Sequence, residues 1–347
     1  MKLPEKLQSM TAYTPVTGDY PVRLDANESF LPPPDWLRAE IMDSMDRVAL
    51  HRYPDPLATG VRRLAADLYG VREEQIVAGN GSDELIGLIM ASLVPRGGRV
   101  LLTDPDFSMY RFYAELYELD CISTGKPNRR PDVDAALREA ARRPPDLVIF
   151  SNPCNPTGLG APREEVIRLL RGVDCPVVVD EAYMDFWDQS VMEELPNYEN
   201  LVILKTCSKA CGLAGLRLGF AVAGREITEA LFKTKSPYNV NALTQAVGEA
   251  VLSHPEYLRD CAQKIKDAAR TLLQRLQGIA GQTDGRLTAL PTETNFVLVQ
   301  TPDAGNIFEG LRARGILIRK LSPELLRVTA GSVEEQAALI AALEEIV

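Results

Sequence analysis

Histidine is almost missing from this chain, with 2 among 347 residues, and cysteine is sparse, with six at 121, 154, 175, 207, 211 and 261. No two cysteines form a CxxC pair, so neither a zinc site nor a disulfide framework is expected; reduced thiols in a cytoplasm and no metal are. No run of 18 apolar residues occurs, and the opening MKLPEKLQSM lacks the apolar core of a signal peptide, so neither a membrane nor secretion is expected. Basic residues are outnumbered 38 to 48, and the net charge of −10 argues against nucleic acid or an anionic membrane as the main partner. A small anionic substrate stays open, because a local cluster of arginines overrides the overall sign.

What is present is a core and a rhythm. With 46% hydrophobic residues over 347 positions, the chain buries a sizeable interior and is expected to form more than one domain. Short apolar runs recur as QIVAG (75–79), RVLLTD (99–104), DLVIFS (146–151), CPVVVDEAY (175–183), LVILKT (201–206) and RLGFAVAG (217–224). Helix-like stretches such as GSDELIGLIMASLV (81–94) and APREEVIRLLRGV (161–173) separate several of them. Nearly continuous Val, Ile and Leu alternating with helices predicts an α/β domain, its mostly parallel sheet sandwiched by helices. After about residue 245 the texture changes to one long helical stretch (243–278), short strands TNFVLVQ, GILIRK and LLRVT, and a closing helix (332–346). The expected division is an extended arm at 1–30, a large domain at 31–245 and a smaller α+β C-terminal domain at 246–347.

Ligands of such sheets bind beyond the carboxyl ends of the strands, so polar residues there are the candidates. GNGSDE (79–84) turns from a strand into a helix, and a Gly-rich turn at a helix N-terminus offers free N–H groups to an anion such as phosphate. Asp104 ends the next strand at a spacing that also suits a dinucleotide ribose, but Glu84 stands where the third glycine of that fingerprint belongs. The plain alternative is a helix N-cap at Ser82. SNPCNPTG (151–158) makes a restricted turn that holds Asn155 at the strand ends. Asp180 is the first charge after a wholly apolar strand, where a carboxylate is costly unless it meets a cation or strong donors. Tyr183 follows three residues on.

KTCSKACGLAGLR (205–217) places Lys209 just beyond a buried strand. Desolvation there lowers an amine's pKa and frees it for Schiff-base chemistry. A phosphate cradle, an asparagine, a buried aspartate, a lysine and an arginine in one α/β domain match what pyridoxal 5'-phosphate (PLP) requires.

The motifs LDANES (24–29), HRYPDP (51–56), GNGSDE, DPDFSMY (104–110), SNPCNPTG, VVVDEAY, KTCSKACGLAGLRLGF (205–220), SPYNVN (236–241) and LLRVTAG (325–331) together resemble the fold-type-I aminotransferases, and within them the histidinol-phosphate aminotransferases. The resemblance runs over nearly the whole chain. It implies that Lys209 binds the PLP aldehyde, that Asp180 faces the pyridine nitrogen, and that Asn155 and Tyr183 bond the ring hydroxyl. Ser82, Asp83, Thr206, Ser208 and Arg217 would lie at the phosphate, partly through backbone groups, and Phe107 would stack on the ring. Tyr53 would reach the phosphate of a partner subunit, making a homodimer the active unit. Arg327 would clamp the substrate carboxylate, and Tyr13, Asn27 and Arg319 match positions that contact the amino donor. The implied reaction moves an amino group between histidinol phosphate and the 2-oxoglutarate/glutamate pair, in histidine biosynthesis. Alternatives are an aromatic amino-acid aminotransferase or a threonine-phosphate decarboxylase on the same frame, and, from another class, a nucleotide-binding dehydrogenase module. Cys207 and Cys211 read as small core residues. Where many relatives carry tyrosine as the stacker, this chain has Phe107, and Cys154 stands at a position where another small or polar residue is common.

Overall fold

A computed structural model of the chain describes residues 3–12, 16–283 and 285–347. Twelve strands are present among them: β1 (Val22–Leu24), β2 (Ile76–Asn80), β3 (Arg99–Asp104), β4 (Asp120–Gly125), β5 (Leu147–Ser151), β6 (Val177–Asp180), β7 (Leu201–Thr206), β8 (Leu218–Ala223), β9 (Thr288–Leu290), β10 (Phe296–Gln300), β11 (Ile316–Ser322) and β12 (Leu325–Thr329). Seven form one sheet in the order β2-β8-β7-β6-β5-β3-β4. Strands β7, β6, β5, β3 and β4 pair in parallel, while β8 runs antiparallel to both β7 and β2.

The pleat explains the continuous apolar runs. In β5, Val148 and Phe150 enter one core while Leu147 and Ile149 enter the other; in β7, Leu201 and Ile203 oppose Val202 and Leu204 in the same way. Each such fully buried side chain contributes about 1.5–3 kcal/mol, and a strand covered on both faces collects that at every position. One face packs against helices that include Thr59–Tyr69, Arg163–Gly172 and Ala242–Leu252, the other against Gly81–Leu93, Ser108–Leu116 and Arg225–Thr234. This is the expected sandwich.

The second sheet has the order β1-β11-β12-β10-β9 and its own core, with Leu24, Leu272, Val297, Leu311, Leu317, Val328 and Leu339. Helices Pro255–Ala280, Ala304–Ala313 and Val333–Ile346 supply the other layer. Strand β1 comes from the first 30 residues and pairs in parallel with β11, so this stretch is woven into the C-terminal sheet.

Two readings of the sequence change. The stretch 243–278 is two helices, Ala242–Leu252 and Pro255–Ala280, because Pro255 lacks an N–H and is accommodated at the first turn of a new helix. Helix Gly81–Leu93 is preceded by Asn80 as its N-cap, with no side-chain cap bond, so Ser82 lies inside the first turn. Among the described residues no helix is long and apolar enough to cross a membrane.

Candidate active site

Asn80, Asp104, Ser151, Asp180 and Thr206 close β2, β3, β5, β6 and β7 at the same edge of the large sheet. Asp180 is 4% exposed and stands beside Ser151 in the β5–β6 register. Its Oδ2 accepts from Tyr110 Oη at 2.7 Å and its Oδ1 from Ala182 N at 3.0 Å. Burial raises its pKa to about 6 despite these two donors, with Asp106 and Glu181 pushing the same way. A protonated ring nitrogen is the counter-charge such a carboxylate lacks.

Lys209 is partly buried, and its Nζ donates to Ala26 O at 3.1 Å and lies 5.9 Å from the centre of the Tyr183 ring. Desolvation, followed by repulsion from Arg327 and Arg217, lowers its pKa to about 8, against the opposing pull of Glu28 and Asp180. Lys205 behaves otherwise. Burial alone pushes its pKa down, but Glu181 and Asp185 outweigh that, and the net shift is upward. Of the two lysines in the motif, Lys209 is therefore the one poised as a free amine.

The phosphate-type cradle forms where β2, β8 and β7 meet. Gly219 pairs with Gly79 on one side and Thr206 on the other, and a Cβ on Gly219 would sit 2.3 Å from Ser82 N. A glycine at 219 thus lets the first turn of helix Gly81–Leu93, with its N–H groups that lack helical partners, come down onto the strand ends. Arg217 takes a left-handed conformation (φ 56°), costing on the order of 1 kcal/mol, and its Nη1 reaches Ser208 Oγ at 3.4 Å. A Cβ on Gly81 would fall 2.7 Å from Arg217 Nη2, so Ser82, Thr206, Ser208 and Arg217 converge. Asp83 follows Ser82 in the first turn of that helix. Its carboxylate accepts from Tyr113 Oη at 3.4 Å, its Oδ1 is buried without a partner, and burial raises its pKa against the pull of Arg217.

Residues 25–27 thread between the two sheets. Asn27, at φ 54°, donates through Nδ2 to Tyr183 Oη at 2.9 Å, while its N donates to Thr329 Oγ1 at 3.0 Å. Asn295 Nδ2 donates to Asn27 O at 3.0 Å. Arg327 on β12 donates through Nη1 to Asn155 Oδ1 at 2.6 Å and through Nη2 to Asp25 O at 2.7 Å. Arg319 on β11 is the register partner of Arg327 and shares its sheet face. Phe107 packs edge-on against Tyr110 with ring centres 5.7 Å apart, and both line a cleft of 720 Å³ together with Met10 and Thr11.

Of the remaining candidates, Tyr53 is 81% exposed and stacks on Tyr238 at 4.5 Å, away from these contacts. Tyr13 lies outside the described residues. Asp104 pairs with Arg111 at 2.6 Å. Cys207 is fully buried in the main core, with Cys211 packed against it. Sequence reading missed Tyr110 as the donor to Asp180, although it stands three residues beyond Phe107 on a helix, a spacing that puts both on one face. It also missed Asn295 and Thr329, whose partner Asn27 is about 270 or more positions away.

The donor set fits PLP. A desolvated amine, a buried carboxylate raised in pKa for want of a counter-charge, and a cradle that a Cβ at 81 or 219 would fill lie on one sheet edge. The sequence profile described as Aminotransferase class I and II matches residues 20–343, and the chain belongs to that family. It is 37% identical to the histidinol-phosphate aminotransferase of Clostridium kluyveri, over 99% of this chain and 97% of the relative. It is 36% identical to that of Thermococcus gammatolerans, over 99% and 96%. The crystal structure of histidinol-phosphate aminotransferase from Sinorhizobium meliloti, in complex with pyridoxal-5'-phosphate, superposes with a TM-score of 0.88 at 25% identity, covering 99% of this chain and 97% of that one.

Proposed function

We propose that this protein is a PLP-dependent transaminase that transfers the amino group between histidinol phosphate and the 2-oxoglutarate/glutamate pair. The observation that carries the substrate assignment is the opposition of Arg319 and Arg327 on one face of the small sheet. Two adjacent guanidinium groups suit a substrate whose anionic group is a phosphate, and one of them also suits the carboxylate of glutamate. The full-length similarity to aminotransferases named for histidinol phosphate supports the same reading.

Bound at the sheet edge, PLP supplies an aldehyde for the substrate amine and an electron-withdrawing ring. The chain supplies the rest. Asp180 would hold a negative charge against the ring nitrogen, with Tyr110 and Ala182 fixing its orientation. Lys209 would anchor the cofactor through its amine, and the same amine would take the proton from the carbon that bears the substrate's amino group. An amine with a pKa near 8 holds and returns that proton at neutral pH better than an ordinary lysine does. Asn155 and Tyr183 would bond the ring hydroxyl, Phe107 would cover the ring, and Ser82, Asp83, Thr206, Ser208 and Arg217 would hold the phosphate through side chains and backbone N–H groups. Arg327 receives the carboxylate or phosphate, with Arg319, Asn27 and Tyr13 completing the amino-donor site.

The active unit is a homodimer in which Tyr53 reaches the partner's site, a role that suits a tyrosine 81% exposed on the single chain. The enzyme acts in a cytoplasm. The chain divides into an arm (1–30), a large domain (31–245) and a small domain (246–347); two separate cores support a large and a small domain, although Val247, Val251, Leu252 and Leu258 pack on the large one and Leu24 of the arm on the small one. Purified protein supplied with PLP should absorb visibly, and should turn over histidinol phosphate in preference to phenylalanine and tyrosine. Faster turnover of the aromatic amino acids would move the assignment to an aromatic aminotransferase.

A further inference from the structure

Lys126 has no part in the site above, yet its side chain is 0% exposed, and that of its partner Asp106 is 3% exposed. Lys126 Nζ donates to Asp106 Oδ2 at 2.6 Å, to Thr103 O at 2.7 Å and to Pro105 O at 2.9 Å. These are the three donors an ammonium has. Asp106 accepts in addition from Phe107 N at 2.8 Å, Thr103 Oγ1 at 3.1 Å, Ser151 N at 3.2 Å and the Ser151 hydroxyl. Ser151 Oγ accepts from Asn155 N at 3.2 Å, and Asn155 Oδ1 accepts from Arg327 Nη1. One unbroken chain of polar contacts thus runs from a buried ion pair through Ser151 and Asn155 to the arginine of the small sheet, with a branch to the backbone of Phe107.

A buried ion pair is weak as a stabilising device, because desolvation offsets most of its attraction and apolar residues of similar volume often serve as well. What it does well is fix direction. A carboxylate saturated by donors from several segments cannot rotate without leaving one of them unpaired and buried. We propose that Asp106 and Lys126 are positioning residues, which set the Phe107 backbone and, through Ser151, aim Asn155 and Arg327 at cofactor and substrate. The proposal rests on the PLP reading for what Phe107, Asn155 and Arg327 face.

The gentlest test is Ser151→Ala, which keeps the ion pair and cuts the link to Asn155. The KM for glutamate and the dissociation constant for PLP should each rise about 2- to 10-fold, the worth of one net hydrogen bond, with kcat changed less. A second variant, Asp106→Asn with Lys126→Met, exchanges the pair for neutral groups, removes the Lys126 donor from the carbonyls of Thr103 and Pro105, and presents an amide donor to the Ser151 N–H. It should show the same rises, and in both variants the amides of Asn152, Cys154, Asn155, Thr157 and Gly158 should exchange with solvent faster in the cofactor-free protein. Folded variants with wild-type KM, PLP affinity and amide exchange would overturn the proposal, as would a lower Tm with none of these changes. If the wild type bound no PLP, the proposed function would fail, while amide exchange in the turn would still decide whether Asp106 and Lys126 position it.

Discussion

Lys205 Nζ lies 2.8 Å from Glu181 Oε2 inside the fold, whereas Lys209, four residues on, ends against the carbonyl of Ala26. The same short segment thus raises the pKa of one lysine and lowers that of another to about 8. Borohydride reduction of the PLP-loaded protein followed by peptide mapping should put the pyridoxyl label on Lys209. A label on Lys205 would refute the assignment. In the cofactor-free protein, Lys209 should react with aldehydes at a rate that climbs as pH passes through about 8. The linkage has a definite sign. The folded pKa lies below the ordinary 10.5, so the charged amine destabilises the cofactor-free fold below pH 8, and this cost is relieved as pH rises toward 10.5.

Asp180→Asn separates catalysis from folding. The charge proposed to face the ring nitrogen would be lost, and turnover should fall on the order of 100-fold or more. The cofactor-free variant should be no less stable than wild type at pH 7. The folded pKa is raised to about 6, so the carboxylate's burial cost is present above pH 6 and gone below the ordinary 3.8, and the amide escapes it. Near-wild-type turnover with an unchanged spectrum would reduce Asp180 to a structural cap on β6.

Gly219→Ala probes the cradle. The new methyl would meet Ser82 N at 2.3 Å, a backbone atom at the start of a helix, so strand and helix must part. PLP affinity should fall at least 10-fold and Tm should drop, read by equilibrium dialysis and thermal unfolding; overpacking of this kind typically costs about 1–3 kcal/mol. A variant that binds PLP as wild type does would mean that the helix N-terminus does not hold the phosphate.

The apolar runs made β2, β3, β5, β6, β7 and β8 legible, because a strand buried on both faces has little choice of residue. Strand β4 escaped notice because it is an edge strand with Ile122 as its single fully buried position, and so carries no apolar run. Strand β1 escaped because three residues that pair with a segment almost 300 positions away leave no local pattern. At the candidate site, the motifs pointed to Lys209, Asp180 and Arg217, which the fold brings to one sheet edge. The contacts between Asn27 and Thr329 and between Asp106 and Lys126 were not, since they depend on chain segments that only folding brings together.

Arg319 and Arg327 occupy opposed positions on β11 and β12, yet their variants should behave differently. Arg327 is tied to Asn155 and Asp25, and in the proposed reaction its guanidinium would serve both the carboxylate of glutamate and the phosphate of the amino donor. Arg327→Lys keeps the charge but loses the planar fork, so both half-reactions should weaken. In the proposed reaction Arg319 would act on the phosphorylated substrate, where losing a charge-assisted hydrogen bond costs roughly 1.5–3 kcal/mol, or about 10- to 150-fold. Stopped-flow conversion of the cofactor, measured separately with each substrate, should therefore show Arg319→Ala impaired toward histidinol phosphate and little changed toward glutamate. Equal losses for both would make Arg319 a residue that supports the small sheet and leave the phosphate to Arg327 alone.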